Sequence, residues 1–300
     1  MKSRIKRALF LLLCWCGLPR LWRFWSQRGN VTILCYHDPA PDVLAAHVAQ
    51  LRHDYSIMSL RDFVAWRRSG GRETLPRYPL VITLDDGHLG NARLLDLVMR
   101  EKLPLTIFLC SHIVGTRRHF WWKEVDTATE RLRLKNLPDG ERLRELERWG
   151  YREETEYPER QALLRKEVLA MAPHIDFQAH TRLHPVLPKC TTARSRDEIA
   201  GSKEDLMRDF GLDVYAFAYP NGDYSDRDAD LVARAGYACA LTIDAGSNGA
   251  QTDIYRLKRI VIPDDAGVNE MLVKASGLWA TLNQLAGRRP HYGCRAACEE

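Results

Sequence analysis

Val81-Ile82-Thr83-Leu84-Asp85-Asp86-Gly87 is the stretch on which the fold of this chain turns: an apolar, β-branched run that ends in two adjacent carboxylates and a glycine. The run predicts a buried strand, and Gly87 followed by Asn91 predicts a tight exit into a helix through Arg93 to Arg100. Both acids then fall at the C-terminal end of a strand. Two carboxylates so close repel when both ionise in an apolar setting, so one of them needs a cation or a proton. Alone, Asp-Asp-Gly is more often a turn whose acids cap the next helix; residues further along change that balance.

Ile175 to Ala179 predicts another short strand, and His180-Thr181-Arg182-Leu183-His184-Pro185 follows it. Histidines four apart in a helical turn lie about 5–6 Å from one another, close enough to share one ion. Two imidazoles and one carboxylate make three ligands and leave a fourth position open, as in a catalytic zinc site rather than a closed structural one. A third strand-like run, Tyr215 to Tyr219, ends in Pro220-Asn221-Gly222. Such a turn points backbone N–H groups outward, where a developing oxyanion gains from a fixed donor.

In this order and at these spacings the three segments resemble the polysaccharide deacetylase family, also called carbohydrate esterase family 4 or the NodB-homology domain. Thr83 to Gly87 departs by one conservative change from the family's Thr-Phe-Asp-Asp-Gly, and His180 to His184 fits its His-Ser/Thr-x-x-His. Phe217 to Gly222 fits the Phe-Ala-Tyr-Pro-x-Gly of one branch, with Ala218 where other branches place arginine. The resemblance runs from about Val31 to about Asp264. It implies that Asp86, His180 and His184 bind a divalent metal, usually Zn2+, with Co2+ or Ni2+ as alternatives. It further implies Asp85 as the general base for a water at the metal, and the backbone N–H of Asn221 as an oxyanion donor. A metal that lowers the pKa of water from about 16 toward neutrality lets a carboxylate serve as base.

The leaving amine then needs an acid. Many members carry a Leu-x-His motif near the C-terminal end, but Ile260 to Asp264 contains no histidine, and His291 lies in a polar tail. Val31 to Asp38 resembles the rearranged branch that includes the poly-N-acetylglucosamine deacetylases, which implies His37 as the acid. Arg259 matches an Arg-Ile pair of that branch and is expected to pair with Asp85 and keep it ionised, with a surface salt bridge as the alternative. His88 reads as a rim residue rather than a ligand. Asp38, Tyr219, Pro220, Asp223 and Tyr224 are expected to line the sugar cleft.

Strand-like runs at Thr32–Tyr36, Leu80–Leu84, Leu105–Cys110, Ile175–Ala179, Val214–Tyr219, Ala238–Ile243 and Arg259–Ile262 alternate with helical patterns at Leu44–His53, Arg93–Lys102, Asp197–Phe210 and Arg227–Ala235. This alternation predicts an α/β fold with βα units around a parallel sheet. With the resemblance, it predicts a distorted (β/α) barrel of about seven parallel strands whose site gathers at the strands' C-terminal ends. The catalytic domain is expected over 30–285, with a helical insertion at about 115–172 over one side of the barrel, whose Trp121 and Trp122 are expected to pack, with shaping of the cleft as the alternative, and a polar tail over 286–300. A chain of 300 residues with 45% hydrophobic content is long enough for one main domain with a large core.

The net charge of +5 belongs to the N-terminus. Met1 to Arg28 holds seven basic residues and no acid, which leaves 37 basic against 39 acidic residues elsewhere. Such a balance offers no basic stripe for nucleic acid. The apolar stretch Ala8 to Leu18 covers only about 16 Å as a helix, short of a hydrocarbon core of about 30 Å. Arginines and tryptophans follow it where a cleavage site would stand, so 1–29 is expected to be a basic, apolar segment whose residues 1–28 lie on an anionic membrane surface, with a removed signal or a soluble packing helix as the alternatives. Eight cysteines leave the compartment open, and a reduced setting is slightly favoured.

The expected activity is metal-dependent removal of N-acetyl groups from a sugar in a polysaccharide or a lipid-linked saccharide. The expected location is the bacterial inner membrane, on its cytoplasmic face, with export as the alternative. An O-acetyl esterase with the same site and a non-catalytic glycan-binding barrel are the rival readings.

Overall fold

Among the described residues there are eight strands, β1 (Thr32–Tyr36), β2 (Ser56–Ile57), β3 (Pro79–Leu84), β4 (Leu105–Leu109), β5 (Asp176–Ala179), β6 (Ala216–Ala218), β7 (Cys239–Leu241) and β8 (Ile260–Val261). Rich in Val, Ile, Leu and Phe, β1, β3 and β4 are buried along their whole length because both faces are covered. The computed structural model describes residues 2–71 and 74–287. Seven strands run parallel in the order β7-β6-β5-β4-β3-β1-β8, and β2 pairs with the start of β3. A parallel bridge between Leu241 and Leu257 brings β7 to the segment preceding β8, so the sheet curves round into an open (β/α) barrel. The register of β1 on β3 sets Tyr36 opposite Leu84, which places His37 and Asp85 side by side at the C-terminal rim.

Helices Pro41–Asp54, Leu95–Glu101, Thr192–Phe210 and Asp226–Arg234 pack their apolar faces on these strands in one core. The exit from Gly87 begins as a 3-10 turn, Leu89–Leu94, before the expected helix sets in. Several elements carry too little pattern to be foreseen: β2, with two residues, the helix Leu60–Arg68, and the C-terminal helices Val268–Ala275 and Leu278–Leu285.

The expected insertion contains the 3-10 turn Trp121–Glu124 and helices Ala128–Asn136, Asp139–Arg148 and Arg165–Met171. Trp121, Val125, Leu134, Leu146, Tyr151 and Val186 give it a small core of its own. Its return strand is zipped to the site, since Leu163 N–H donates to the Gly87 carbonyl and Leu89 N–H to that of Gln161, both at 3.0 Å.

The N-terminal segment forms two helices, Lys2–Trp15 and Leu18–Ser26, broken at Gly17, whose φ of 71° suits a glycine. They fold back onto the C-terminal helices. Phe10 is 1% exposed against Val273 and Leu278, and the Gln27 amide donates to the Ala275 carbonyl at 2.7 Å. No helix among the described residues is long and apolar enough to cross a membrane. Cys35, Cys110 and Cys239 are buried free thiols. His291, Cys294, Cys298 and most of the polar tail lie outside the described residues.

Candidate active site

The site is assembled from the ends of six strands: His37 after β1, Asp85 and Asp86 after β3, His180 after β5, Asn221 after β6, Asp244 after β7 and Asp264 after β8. Asp86, His180 and His184 are all buried, and one ligand-type atom from each lies within 4.8 Å of the others. Asp86 Oδ1 is 3.4 Å from His180 Nε2 and 3.3 Å from His184 Nε2, with no well-formed hydrogen bond to either. His180 Nδ1 lies 2.8 Å from the Ala218 carbonyl. A carbonyl only accepts, so this contact puts the proton on Nδ1 and leaves Nε2 free toward Asp86. Trp121 Nε1–H donates to the His184 carbonyl at 3.0 Å, and the Trp122 ring lies 4.2 Å from the His184 ring.

The histidine pair does not sit on a helical turn as expected. Thr181 and His184 both have positive φ, 66° and 56°, so the segment is a tight loop. Its rings are 4.9 Å apart all the same. Among the described residues, six non-glycines have positive φ, and Asp86, Thr181, His184 and Asn221 are four of them. Such conformations cost about 1–3 kcal/mol each and persist where the surroundings fix them, most often at functional sites. The fixing groups are visible here. Thr181 Oγ1 accepts the His184 N–H at 3.0 Å, and the buried Glu198 carboxylate accepts the N–H groups of Arg182 and Leu183 at 2.8 and 2.9 Å. At Gly87, φ is 74° and an added Cβ would meet Leu109 Cδ2 at 2.6 Å, so no larger residue fits behind the two acids.

Asp85 is gripped by Arg259 through two bonds of 2.7 Å, and both residues are buried. Burial alone would raise the Asp85 carboxyl pKa, but the guanidinium outweighs it and holds the group below the usual carboxylate range. The Asp86 carboxyl lies well below that range, because the imidazoles of His180, His88 and His184 around it overcome burial. His184 is pushed well down by burial, whereas for His180 the carboxylates of Asp85 and Asp86 overcome the same effect and the net shift is upward. Arg259 also donates to the Thr242 carbonyl at 2.8 Å. Arg259→Leu is therefore expected to lower stability by about 3–5 kcal/mol, because it strands a buried charge; a urea titration measures the loss.

A His37 ring nitrogen, the Cys35 sulfur and an Asp85 oxygen lie within 4.8 Å of one another. Burial pushes the Cys35 thiol well up, so it stays protonated and makes a poor ligand. The second cluster is therefore a weaker metal set than the first. Asp264 fixes it, accepting the N–H of His37 at 3.0 Å and of Asp38 at 3.1 Å.

The remaining sequence-derived residues fall in different places. Asn221 stands in a left-handed turn with its side-chain oxygen accepting from Lys135 of the insertion. Tyr219 and Pro220 are buried, and the Tyr219 hydroxyl donates to the Tyr255 carbonyl at 2.9 Å, a packing position rather than a cleft wall. Tyr224 stacks on Tyr219 and donates to Asp244 at 3.0 Å, half-buried at the rim, where Asp38 also lies. Asp223 is 5% exposed. His88 is not a rim residue. It is buried, with Nε2 3.0 Å from Asp86 Oδ2, and so orients the carboxylate's second oxygen. Glu198 and Asp264 carry no motif in the sequence, since each acts on backbone N–H groups brought near only by folding.

A (β/α) barrel whose strand ends bring together an Asp-Asp pair and a His-x-x-x-His loop defines a class of hydrolase site. The sequence profile described as "Polysaccharide deacetylase" matches residues 72–240, more than half of the chain, and the chain belongs to that family. Family membership makes it a deacetylase-type hydrolase. Among solved structures, it is similar to the Streptococcus pyogenes deacetylase PplD in complex with acetate, at 19% identity and a TM-score of 0.60 over 83% of this chain and 99% of that one. IcaB from Ammonifex degensii gives 17% identity and a TM-score of 0.61 over 84% and 98%. The deacetylase domain of BpsB from Bordetella bronchiseptica gives 14% identity and a TM-score of 0.56 over 78% and 96%. These likenesses establish the fold. No curated protein sequence matches the chain.

Proposed function

We propose that the chain removes N-acetyl groups from an N-acetylated sugar in a polysaccharide or lipid-linked saccharide, releasing acetate, with a divalent cation held by Asp86, His180 and His184. Its main support is the buried Asp86 Oδ1, which faces two imidazole nitrogens at 3.3 and 3.4 Å without a hydrogen bond. A buried carboxylate oxygen in that state lacks a partner, and one carboxylate with two imidazoles is a donor set that suits Zn2+, with Co2+ or Ni2+ as substitutes. When bound, such a cation supplies Lewis acidity toward the acetyl carbonyl and acidifies water.

The chain's own groups supply the rest. Asp85, ionised by Arg259, takes a proton from the attacking water; because the same pairing weakens it as a base, acidification of that water by a Lewis acid matters all the more. The backbone N–H of Asn221 is assigned to the developing oxyanion. His37, beside Asp85, protonates the leaving nitrogen, and Trp122, Tyr224 and Asp38 border the sugar. The adjacency of His37 and Asp85 favours turnover over a binding-only barrel.

His37→Ala separates the roles. Release of acetate from a chito-oligosaccharide is expected to fall by about 10²–10⁴-fold. Cleavage of an acetylated aryl ester, whose leaving group needs little protonation, is expected to fall by less than about tenfold. Equal losses on both substrates would remove His37 from the acid role, and a new primary amine in the sugar product separates N- from O-deacetylation.

A further inference from the structure

The two N-terminal helices divide sharply into an inner and an outer face. The inner face carries Phe10, Leu13 and Cys14 against the C-terminal helices, with Pro19 and Arg23 also buried. Phe10 meets Trp279 edge-on with centroids 5.0 Å apart, and Lys6 pairs with Glu270 at 2.8 Å. Arg23 lies over the rings of Tyr55 and Tyr78 and pairs with Asp54 at 3.1 Å. This side is a folded interface, and it fixes which side is left outside.

The outer face is apolar and aromatic. Ile5, Leu9 and Leu12 recur at helical spacing on the first helix, as do Leu18, Leu21 and Trp25 on the second. All six are exposed, Trp25 to 75%, and Trp15 at the junction is 84% exposed. Leu285 of the last helix adds another at 79%. An apolar face of this kind on a soluble domain marks an interaction surface. Arg4, Arg7 and Arg28 are exposed around it, Arg20 is exposed too while pairing with Asp54 at 3.3 Å, and the first 28 residues contain no acid.

We propose that this face is a docking platform for an anionic lipid bilayer, which carries the chain at a membrane surface without spanning it. Apolar residues at helical spacing, tryptophans at the edge and a uniformly cationic border are the chemistry of a helix lying in the interfacial plane. The charge pattern decides against a second copy of this chain, since two such faces would set like charges against each other. A groove of about 700 Å³ beside the platform is lined by Trp22 and Ser26 at one side and by Asp244 and Lys258 at the other. Asp244, on the far side of that groove, accepts the backbone N–H of Arg259 at 3.1 Å.

The test is flotation of the full chain with vesicles of phosphatidylglycerol and phosphatidylethanolamine, and with vesicles of phosphatidylcholine alone. Wild type is expected to float with the anionic vesicles and far less with the neutral ones. Trp15→Ser with Trp25→Ser is expected to weaken binding by at least about tenfold, given the apolar area each ring withdraws from water. The same variant is expected to keep the wild-type thermal midpoint and its acetate release from a soluble chito-oligosaccharide, so platform and catalysis are read separately. The proposal is overturned if wild type fails to float with anionic vesicles, if the double variant floats equally well, or if wild type is a dimer in solution that the double variant dissociates.

Discussion

Asp85→Asn is expected to bind metal at the wild-type stoichiometry and yet release acetate about 10²–10⁴-fold more slowly, the usual value of a positioned proton acceptor. The substitution keeps the shape of the side chain and one acceptor oxygen for Arg259, but it removes the carboxylate that Arg259 grips. Nothing in the proposed ligand set changes. Elemental analysis and a single-turnover acetate assay on the same preparation check both halves. Loss of metal in this variant would mean that Asp85, not Asp86, anchors the ion.

Asp86→Ala is expected to have the opposite signature, with metal and acetate release lost together. Outer partners of a metal ligand are worth about 10–100-fold in affinity, and a ligand itself more. Asp86 is also what the Nε2 atoms of His88, His180 and His184 face, at 3.0, 3.4 and 3.3 Å. Its removal therefore leaves three imidazoles without the charge that organises them. A variant that keeps both metal and turnover would shift attention to the cluster of Cys35, His37 and Asp85.

Much of this architecture is legible in the sequence because the site sits where strands stop. The apolar runs ending at Tyr36, Leu84, Ala179 and Ala218 mark strand ends, and the candidate site residues His37, Asp85, His180 and Asn221 follow within three residues. The pairing of Arg259 with Asp85 was expected from an Arg-Ile match, and the structure shows the contact. The histidine loop shows the limit of spacing arguments. Four-residue separation suggested a helical turn, but left-handed Thr181 and His184 bring the rings together by another path. That path depends on Glu198, which lies 14 residues beyond His184 and acts on backbone N–H groups that have no signature in a sequence.

His88 and Asp264 were misjudged or passed over for a related reason. His88 follows Gly87, where a rim position was expected, but the antiparallel bridge from His88 to Ala162 pulls it under the insertion and against Asp86. Asp264 stands in the Ile260–Asp264 segment, which has no histidine, and its contribution there is two backbone contacts that hold the β1 exit. Tyr219 directly follows β6 and packs its side chain in the core, whereas Asn221 stands in the left-handed turn at the rim. The N-terminal helices show the gain from tertiary structure. Their composition suggested a membrane surface, but only packing against Val273, Leu278 and Trp279 separates the face that docks inward from the one left outside.

The central claim is that Asp86, His180 and His184 hold a divalent ion on which deacetylation depends. It is tested most directly by elemental analysis of the purified chain paired with acetate release from a chito-oligosaccharide, before and after chelation. One divalent ion per chain, with acetate release that chelation abolishes and Zn2+ restores, is the predicted result. A chain that binds no metal, or that releases acetate equally well after chelation, would contradict the claim.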